Sequence, residues 1–251
     1  MGKNKLRKFA EMETLPGVFQ YPFAVLKEQG FPQRGRWNEF FGNDNPITLE
    51  LGCGKGEYTV GLARTYPDRN FIGIDIKGAR MWSGAREAHL NHMGNVAFIR
   101  TSIELLESFF SPGEVQNIWI TFPDPQMKKA TKRLTGTRFI ELYRKVLATG
   151  GVINLKTDSP FLYAYTSMMC RHNNLMVNAE CDDIYNVENI SLNPDLQIKT
   201  HYERQWLERG LTIKYISFQA GDGPLSEPPE ANLLDQDTYR SYSRGYIQKC
   251  I

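Results

Sequence analysis

The sequence predicts a doubly wound α/β domain built on a mostly parallel sheet, and three observations predict it. Short apolar runs alternate with amphipathic stretches along most of the chain, which is the pattern of repeated βα units. A glycine cluster, Gly52-Cys-Gly-Lys-Gly56, joins the first apolar run to the first amphipathic stretch. Polar residues gather at or just after the ends of the runs, at Glu50, Asp75, Ser102, Asp124 and Asp158, where open parallel sheets bind their ligands.

Each element follows from local pattern. Ile47-Thr-Leu-Glu-Leu51 is a compact strand, and residues 58–66 after the glycines form a helix. Pro67-Asp-Arg-Asn70 turns the chain into a second strand, 70–75, completing a βαβ unit. The pattern then repeats as helix 79–93, strand 96–100, helix 102–110 and strand 117–122. Residues 137–148 form a helix with Phe139, Leu142, Tyr143 and Val146 on one face, ended by Gly150-Gly151. Strand 152–155 follows, then a helix opened by Ser159-Pro160 and running to about Arg171. A sixth strand at 175–181, a helix at 200–209 and an alternating strand at 211–218 complete the domain.

The expected organisation is a 46–218 domain flanked by segments 1–45 and 219–251. The first segment lacks periodicity and is broken into short loops by Pro16, Gly17, Pro22, Gly30, Pro32 and Gly35. Its basic start, with Lys3, Lys5, Arg7 and Lys8, is either a solvated tail or an arm that meets phosphates. The last segment, rich in Pro, Glu, Asp, Ser and Tyr, is an extension that wraps the surface or moves.

Composition bounds the function. The chain has 251 residues, 41% of them hydrophobic and 23% charged, enough for one large core. Net charge is only +2, so binding to nucleic acid has to rest on local clusters. No apolar run approaches the roughly 20 residues that cross a bilayer, so no membrane partner is expected. Cys53, Cys170, Cys181 and Cys250 have no CxxC spacing and fit free thiols of a reducing, cytoplasmic compartment. His89 and His92 lack further ligands at metal spacing, so no metal is expected. Trp82, Trp119 and Trp206 fit packing roles.

The glycine loop points to a nucleotide-like cofactor. Asp75 ends the next strand, nineteen residues beyond Gly56, where an acid binds ribose hydroxyls. A dinucleotide fingerprint would place a glycine where Glu57 stands, and both Glu50 and Glu57 are poor neighbours for a pyrophosphate. These acids suit a cationic cofactor. S-adenosylmethionine, with its sulfonium, ammonium and ribose, satisfies all of them.

The most distinctive stretch is Phe122-Pro-Asp-Pro-Gln-Met-Lys-Lys-Ala-Thr-Lys-Arg133. It leaves a buried strand, and two prolines stiffen the exit around Asp124. Lys128, Lys129, Lys132, Arg133 and Arg138 follow with no acid among them, beside the strand end expected to hold the methyl donor, and are expected to position phosphates. This run resembles the signature of the tRNA (guanine-N7)-methyltransferases. Glu50-Leu-Gly-Cys-Gly, Phe71-Ile-Gly-Ile-Asp75, Lys156-Thr-Asp158, and Thr200-x-Tyr202-Glu203 followed by Arg209-Gly210 support the resemblance in the family's order, over about residues 47–211.

The resemblance implies a seven-stranded, Rossmann-like methyltransferase sheet and transfer of a methyl group from S-adenosylmethionine to N7 of a guanine in the tRNA variable loop. By position it implies cofactor roles for Glu50, Asp75 and Ser102, beside the loop glycines Gly52, Gly54 and Gly56. Asp124 matches the catalytic carboxylate. Lys128, Asp158, Thr200, Tyr202 and Glu203 match substrate positions. Thr200 and Glu203 also form a capping box, and the two readings are compatible. Two departures stand out: Gln126-Met127 replaces the common Trp-His, and the basic run is shorter. Alternatives are a methyltransferase for another RNA or a small molecule, and a non-catalytic tRNA-binding module. Monomer and homodimer are both open.

Overall fold

The computed structural model describes residues 3–186 and 193–239; Cys250 lies outside them. Its centre is a sheet with strand order β1-β4-β3-β2-β5-β6-β8-β7. The strands are β1 (Val18–Phe19), β2 (Ile47–Leu51), β3 (Asn70–Asp75), β4 (Val96–Arg100), β5 (Val115–Thr121), β6 (Leu147–Thr157), β7 (Val177–Cys181) and β8 (Lys214–Gln219). β2 pairs in parallel with β3 on one side and β5 on the other, with Glu50 opposite both Gly73 and Trp119. The chain order therefore reverses between β2 and β5. Their carboxyl ends open the crevice in which doubly wound sheets bind ligands. β8 runs antiparallel between β6 and β7.

The apolar runs form strands because both sheet faces are covered: Leu49, Leu51, Ile72, Ile74, Ile118 and Ile120 are fully or almost fully buried. Helices Glu57–Thr65 and Gly78–Leu90 lie on one face, where Val60, Leu62, Met81 and Ala85 join Phe71, Phe98 and Trp119. Helices Thr137–Arg144 and Pro160–His172 lie on the other, through Ile140, Tyr143, Phe161 and Tyr165.

Three expectations are corrected. The sheet has an eighth strand, β1, whose two residues pair with Phe98 and Ile99 and carry no periodicity to detect. The helix expected over 137–148 stops at Arg144. Leu147 pairs with Val115, so β6 starts inside the predicted helix and runs past Gly150-Gly151, with a register shift between Val115 and Asn117. Burial of Val146 and Leu147 in the core outweighs the helical spacing there. Residues 3–45, expected as short loops, carry helices Lys3–Thr14, Phe23–Gln29 and Trp37–Phe41 as well as β1.

Aromatic packing orders that leading segment. Trp37 is fully buried and meets Phe19, Phe31, Phe40, Phe41 and Phe110 at centroid distances of 5.4–5.8 Å. Its indole N–H donates to the Phe109 carbonyl at 3.1 Å. Replacing Trp37 by Ala removes the hub and orphans that carbonyl. We expect a loss of about 3–5 kcal/mol, seen as a lower urea midpoint at unchanged slope.

Candidate active site

A groove of about 420 Å³ opens where β2 and β5 end, lined by Glu50, Gly52, Cys53, Gly54, Lys55, Glu57, Asp75, Arg80, Thr121, Phe122, Asp124, Thr200, Tyr202 and Trp206. A second hollow of about 490 Å³ adjoins it and shares Gly52, Asp75, Arg80, Phe122 and Asp124, adding Ile76, Thr101, Ser102 and Ile103. The topology thus brings together Glu50, Gly52, Gly54, Asp75, Ser102, Asp124, Thr200 and Tyr202. Gly56, Lys128, Asp158 and Glu203 line neither hollow.

Glu50 is the buried anchor. One carboxylate oxygen accepts from the Thr59 amide at 2.8 Å and, more closely, from the Thr59 hydroxyl. The other accepts from the Thr121 hydroxyl at 2.7 Å. Burial pushes the Glu50 carboxyl up to about 7, against the opposing pull of these bonds. The same burial, with the charges of Glu50 and Asp75 close by, raises the Cys53 thiol.

The glycines do different work. Gly52 and Gly54 have φ of 76° and 54°, and an added Cβ would meet nothing within 4 Å at Gly52 and only a backbone oxygen at 3.9 Å at Gly54. Both leave room for a ligand against bare backbone. At Gly56 an added Cβ would lie 2.7 Å from the Phe98 ring and 3.1 Å from the Gly84 Cα. That glycine serves helix–sheet packing. Asp75 accepts from the Gly54 amide at 2.9 Å with one oxygen and from the Lys77 amide at 2.7 Å with the other. Each oxygen keeps lone-pair capacity for a hydroxyl donor.

Asp124 is exposed in the loop after β5. One of its oxygens accepts from the Gln126 amide at 3.1 Å. Phe122 and Gln126, on either side, both have φ of 49°. Two bulky residues in the left-handed region within five positions mark a strained turn, which is common at functional sites. Beyond it, Lys132 and Arg138 both pair with Glu104, at 3.1 and 2.9 Å, while Lys128 and Lys129 are exposed and make no ion pair among the described residues. Arg133, counted from the sequence among the phosphate-facing bases, is instead 4% exposed and points inward.

The opposite wall is helix His201–Leu207. Its capping box is formed as expected, with the Thr200 hydroxyl accepting from the Glu203 amide at 3.2 Å. Glu203 is fully buried, paired with Lys156 at 2.8 Å and accepting from the Tyr185 hydroxyl at 2.6 Å. Lys156 also donates to the Leu196 and Ile198 carbonyls at 2.9 and 3.0 Å. Glu57 reaches across from the facing helix and accepts from the His201 amide at 2.8 Å. Asp158 is fully buried and accepts from the Tyr239 hydroxyl at 2.5 Å.

Several lining residues escaped the sequence reading. Ile76 is 63% exposed directly after Asp75, an apolar wall whose only signal was its place after a strand-end acid. Arg80 sits early in helix Gly78–Leu90, 5.9 Å from the Tyr202 ring. Trp206, read as packing, lines the groove. Among the described residues no group of His, Cys, Asp and Glu could hold a metal ion, and no helix is long and apolar enough to cross a membrane.

The Glu50 shift has a testable sign. A carboxyl raised by folding favours the fold while protonated, so this contribution is fully present below pH 4.5 and is lost as pH rises to about 7. Glu50→Gln removes the titration. The stability of the wild type relative to the variant should fall by about 3 kcal/mol across that window, measured by urea unfolding at stepped pH; a pH-independent difference would contradict it.

The molecule also resembles known proteins. A family model described as "Putative methyltransferase" matches residues 44–216. The tRNA (guanine-N(7)-)-methyltransferase of Porphyromonas gingivalis is 62% identical over 238 residues, 93% of this chain and 97% of that protein. The protein of the same name from Bacteroides fragilis is 55% identical over 247 residues, covering 98% and 96%. The crystal structure of the 16S rRNA methyltransferase KamB shares the fold, with TM-score 0.55 at 12% identity over 74% of this chain and 92% of that one. The 16S rRNA (adenine(1408)-N(1))-methyltransferase of Catenulisporales acidiphilia does so with TM-score 0.54 at 15% identity, over 76% and 94%. With a sheet, a groove and relatives that agree, the chain belongs to the tRNA (guanine-N7)-methyltransferase family.

Proposed function

We propose that this chain transfers the methyl group of S-adenosylmethionine to N7 of a guanine in tRNA, and that Asp124 is the carboxylate facing the acceptor. The observation that carries the reading is the shared groove. The bare glycine backbone, the ribose-competent Asp75 and the exposed Asp124 all border it, in a chain 62% identical to a tRNA (guanine-N(7)-)-methyltransferase.

The residues fit the cofactor. Gly52 and Gly54 give open backbone, Asp75 has acceptor capacity for ribose hydroxyls, and Ile76 and Ile103 offer apolar surface beside Ser102. Glu57, Asp75 and Asp124 outnumber Lys55 and Arg80 in the groove lining, a balance that suits a cation. Bound there, S-adenosylmethionine supplies an electrophilic methyl group on a positively charged sulfur.

N7 of guanine is a lone pair without a proton, so the transfer needs no general base. The purine becomes cationic as the bond forms. Asp124 offers negative potential to that charge and, held by the Gln126 amide, is already oriented. It can also accept hydrogen bonds from the N1 and N2 edge of the base. The edge next to N7 itself offers only acceptors. Tyr202 and Trp206 give an aromatic wall to a base taken out of its stack. Lys128 and Lys129, on the exposed shoulder of the loop, serve the phosphates. Glu203 and Asp158, being buried, act through the placement of helix His201–Leu207 and the sheet end. We infer a reducing, cytoplasmic setting from the free, buried thiols of Cys53, Cys170 and Cys181.

The central test is methylation of unmodified tRNA with labelled cofactor, followed by nucleoside analysis. Label is expected in 7-methylguanosine, and label in another nucleoside would refute the N7 assignment. Asp124→Ala should lower kcat by about 10²–10³-fold while calorimetry finds cofactor binding intact. Lys128→Ala should weaken tRNA binding and reduce the slope of log Kd against log salt by about one; an unchanged slope would remove Lys128 from the phosphate contacts.

A further inference from the structure

We infer that Arg133 is a positioning residue for the reaction: from inside the protein it holds the turn that aims Asp124, and it does not meet substrate phosphates. Its side chain is enclosed. The guanidinium carbon lies 4.4 Å from the Tyr165 ring centroid and 4.9 Å from that of Phe161. Both rings belong to helix Pro160–His172 and are themselves buried. The guanidinium is held between this helix and the loop.

The polar edge of the guanidinium faces the loop. Nε donates to the Gln126 carbonyl at 3.2 Å and Nη2 to the Met127 carbonyl at 2.7 Å. Gln126 is the residue with φ of 49°, and its amide donates to the Asp124 carboxylate. The strained peptide is therefore gripped on both sides, by Arg133 at its carbonyl and by Asp124 at its amide. Successive turns join the two ends: the Lys129 amide donates to the Gln126 carbonyl at 3.0 Å, that of Lys132 to Lys129 at 2.9 Å, and that of Arg133 to Ala130 at 3.0 Å. A left-handed non-glycine conformation is strained and persists only where its surroundings over-determine it. Two charge-assisted hydrogen bonds from a buried aromatic slot supply such a restraint. A lysine, with a compact ammonium and no planar guanidinium, cannot stack on both rings and at the same time present the fork to the two carbonyls.

The inference rests on Asp124 being the residue that faces the acceptor, and the test separates the two. Steady-state methylation by the full chain is measured with tRNA as the varied substrate, alongside direct tRNA binding at stepped salt. Arg133→Met fills the slot without the polar fork. It should lower kcat about tenfold or more with the Kd for tRNA and its salt slope unchanged. Guanidinium ion at non-denaturing concentration should restore part of the rate in Arg133→Ala. A raised KM at unchanged kcat, with a shallower salt slope, would make Arg133 a phosphate contact and overturn the inference. Should Arg133→Met fail to fold, Arg133→Lys carries the test: a reduced kcat is expected, and a wild-type kcat overturns the inference. Asp124→Ala is assayed in parallel. Normal turnover there sinks the reading of Asp124 itself, whereas a normal Arg133→Met beside an inactive Asp124→Ala sinks the positioning role alone.

Discussion

The carboxylate of Glu50 is the tie on which the site depends. It sits one residue before the end of β2, at the point where the sheet changes direction. Through Thr59 it holds helix Glu57–Thr65, and through Thr121 it holds the end of β5. The glycine loop and the Asp124 loop grow from those two elements, so one buried group sets their separation. Burial of an acid there is costly, and the raised pKa records it. Three hydrogen bonds offset part of that cost. On the far wall the buried Lys156–Glu203 pair does the corresponding work, fixing helix His201–Leu207 to β6 and to the 196–198 backbone. Both ties are polar, buried and hydrogen-bonded, which favours a single geometry.

Charge is layered in a way that suits two unlike ligands. The acids Glu50, Glu57, Asp75 and Asp124 border the groove, while Lys128 and Lys129 stand on its outer shoulder. Lys55 and Arg80 also line the groove, so its acids outnumber its bases without excluding them, and the outer shoulder alone is purely basic. With a net charge of only +2, the chain achieves this by placement. The Glu104 cluster matters here, because it pairs with Lys132 and Arg138 and leaves them less available to phosphates than their sequence run implies.

What the sequence made legible was what strand ends and glycines encode. Asp75 and Asp124 had to lie at the crevice once the βα alternation was recognised, and Gly52 and Gly54 had to be near them. The sequence could not tell a glycine that admits a ligand from one that admits a phenylalanine, which is the difference between Gly52 and Gly56. Nor does a charge state its direction: Arg133 stands in a basic run yet turns into an aromatic slot. Glu203 is a helix cap by spacing, but its buried lysine partner is 47 residues away in sequence. β6 was cut short because helical spacing and strand pairing compete over 145–151, and the pairing of Leu147 with Val115 is long-range. Residues 3–45 were opaque because their order comes from one tryptophan meeting five rings, which no periodicity announces.

The segment 226–239 gives the site an order of assembly. Glu227 accepts from the Thr137 hydroxyl at 2.6 Å and from the Tyr165 hydroxyl at 2.6 Å. Asp237 accepts from the Ser159 hydroxyl and the Phe161 amide at the start of helix Pro160–His172, and its own amide reaches the Met127 sulfur at 3.1 Å. Tyr239 closes over Asp158. These contacts bind the Asp124 loop, the helix beneath it and the end of β6 with residues made last among them. A chain folding as it leaves the ribosome can build the sheet first, from β1 to β6, and dock helices on it. The end of the sheet that carries the groove stays uncapped until this segment arrives, so on such a route the body of the sheet forms before the groove is complete.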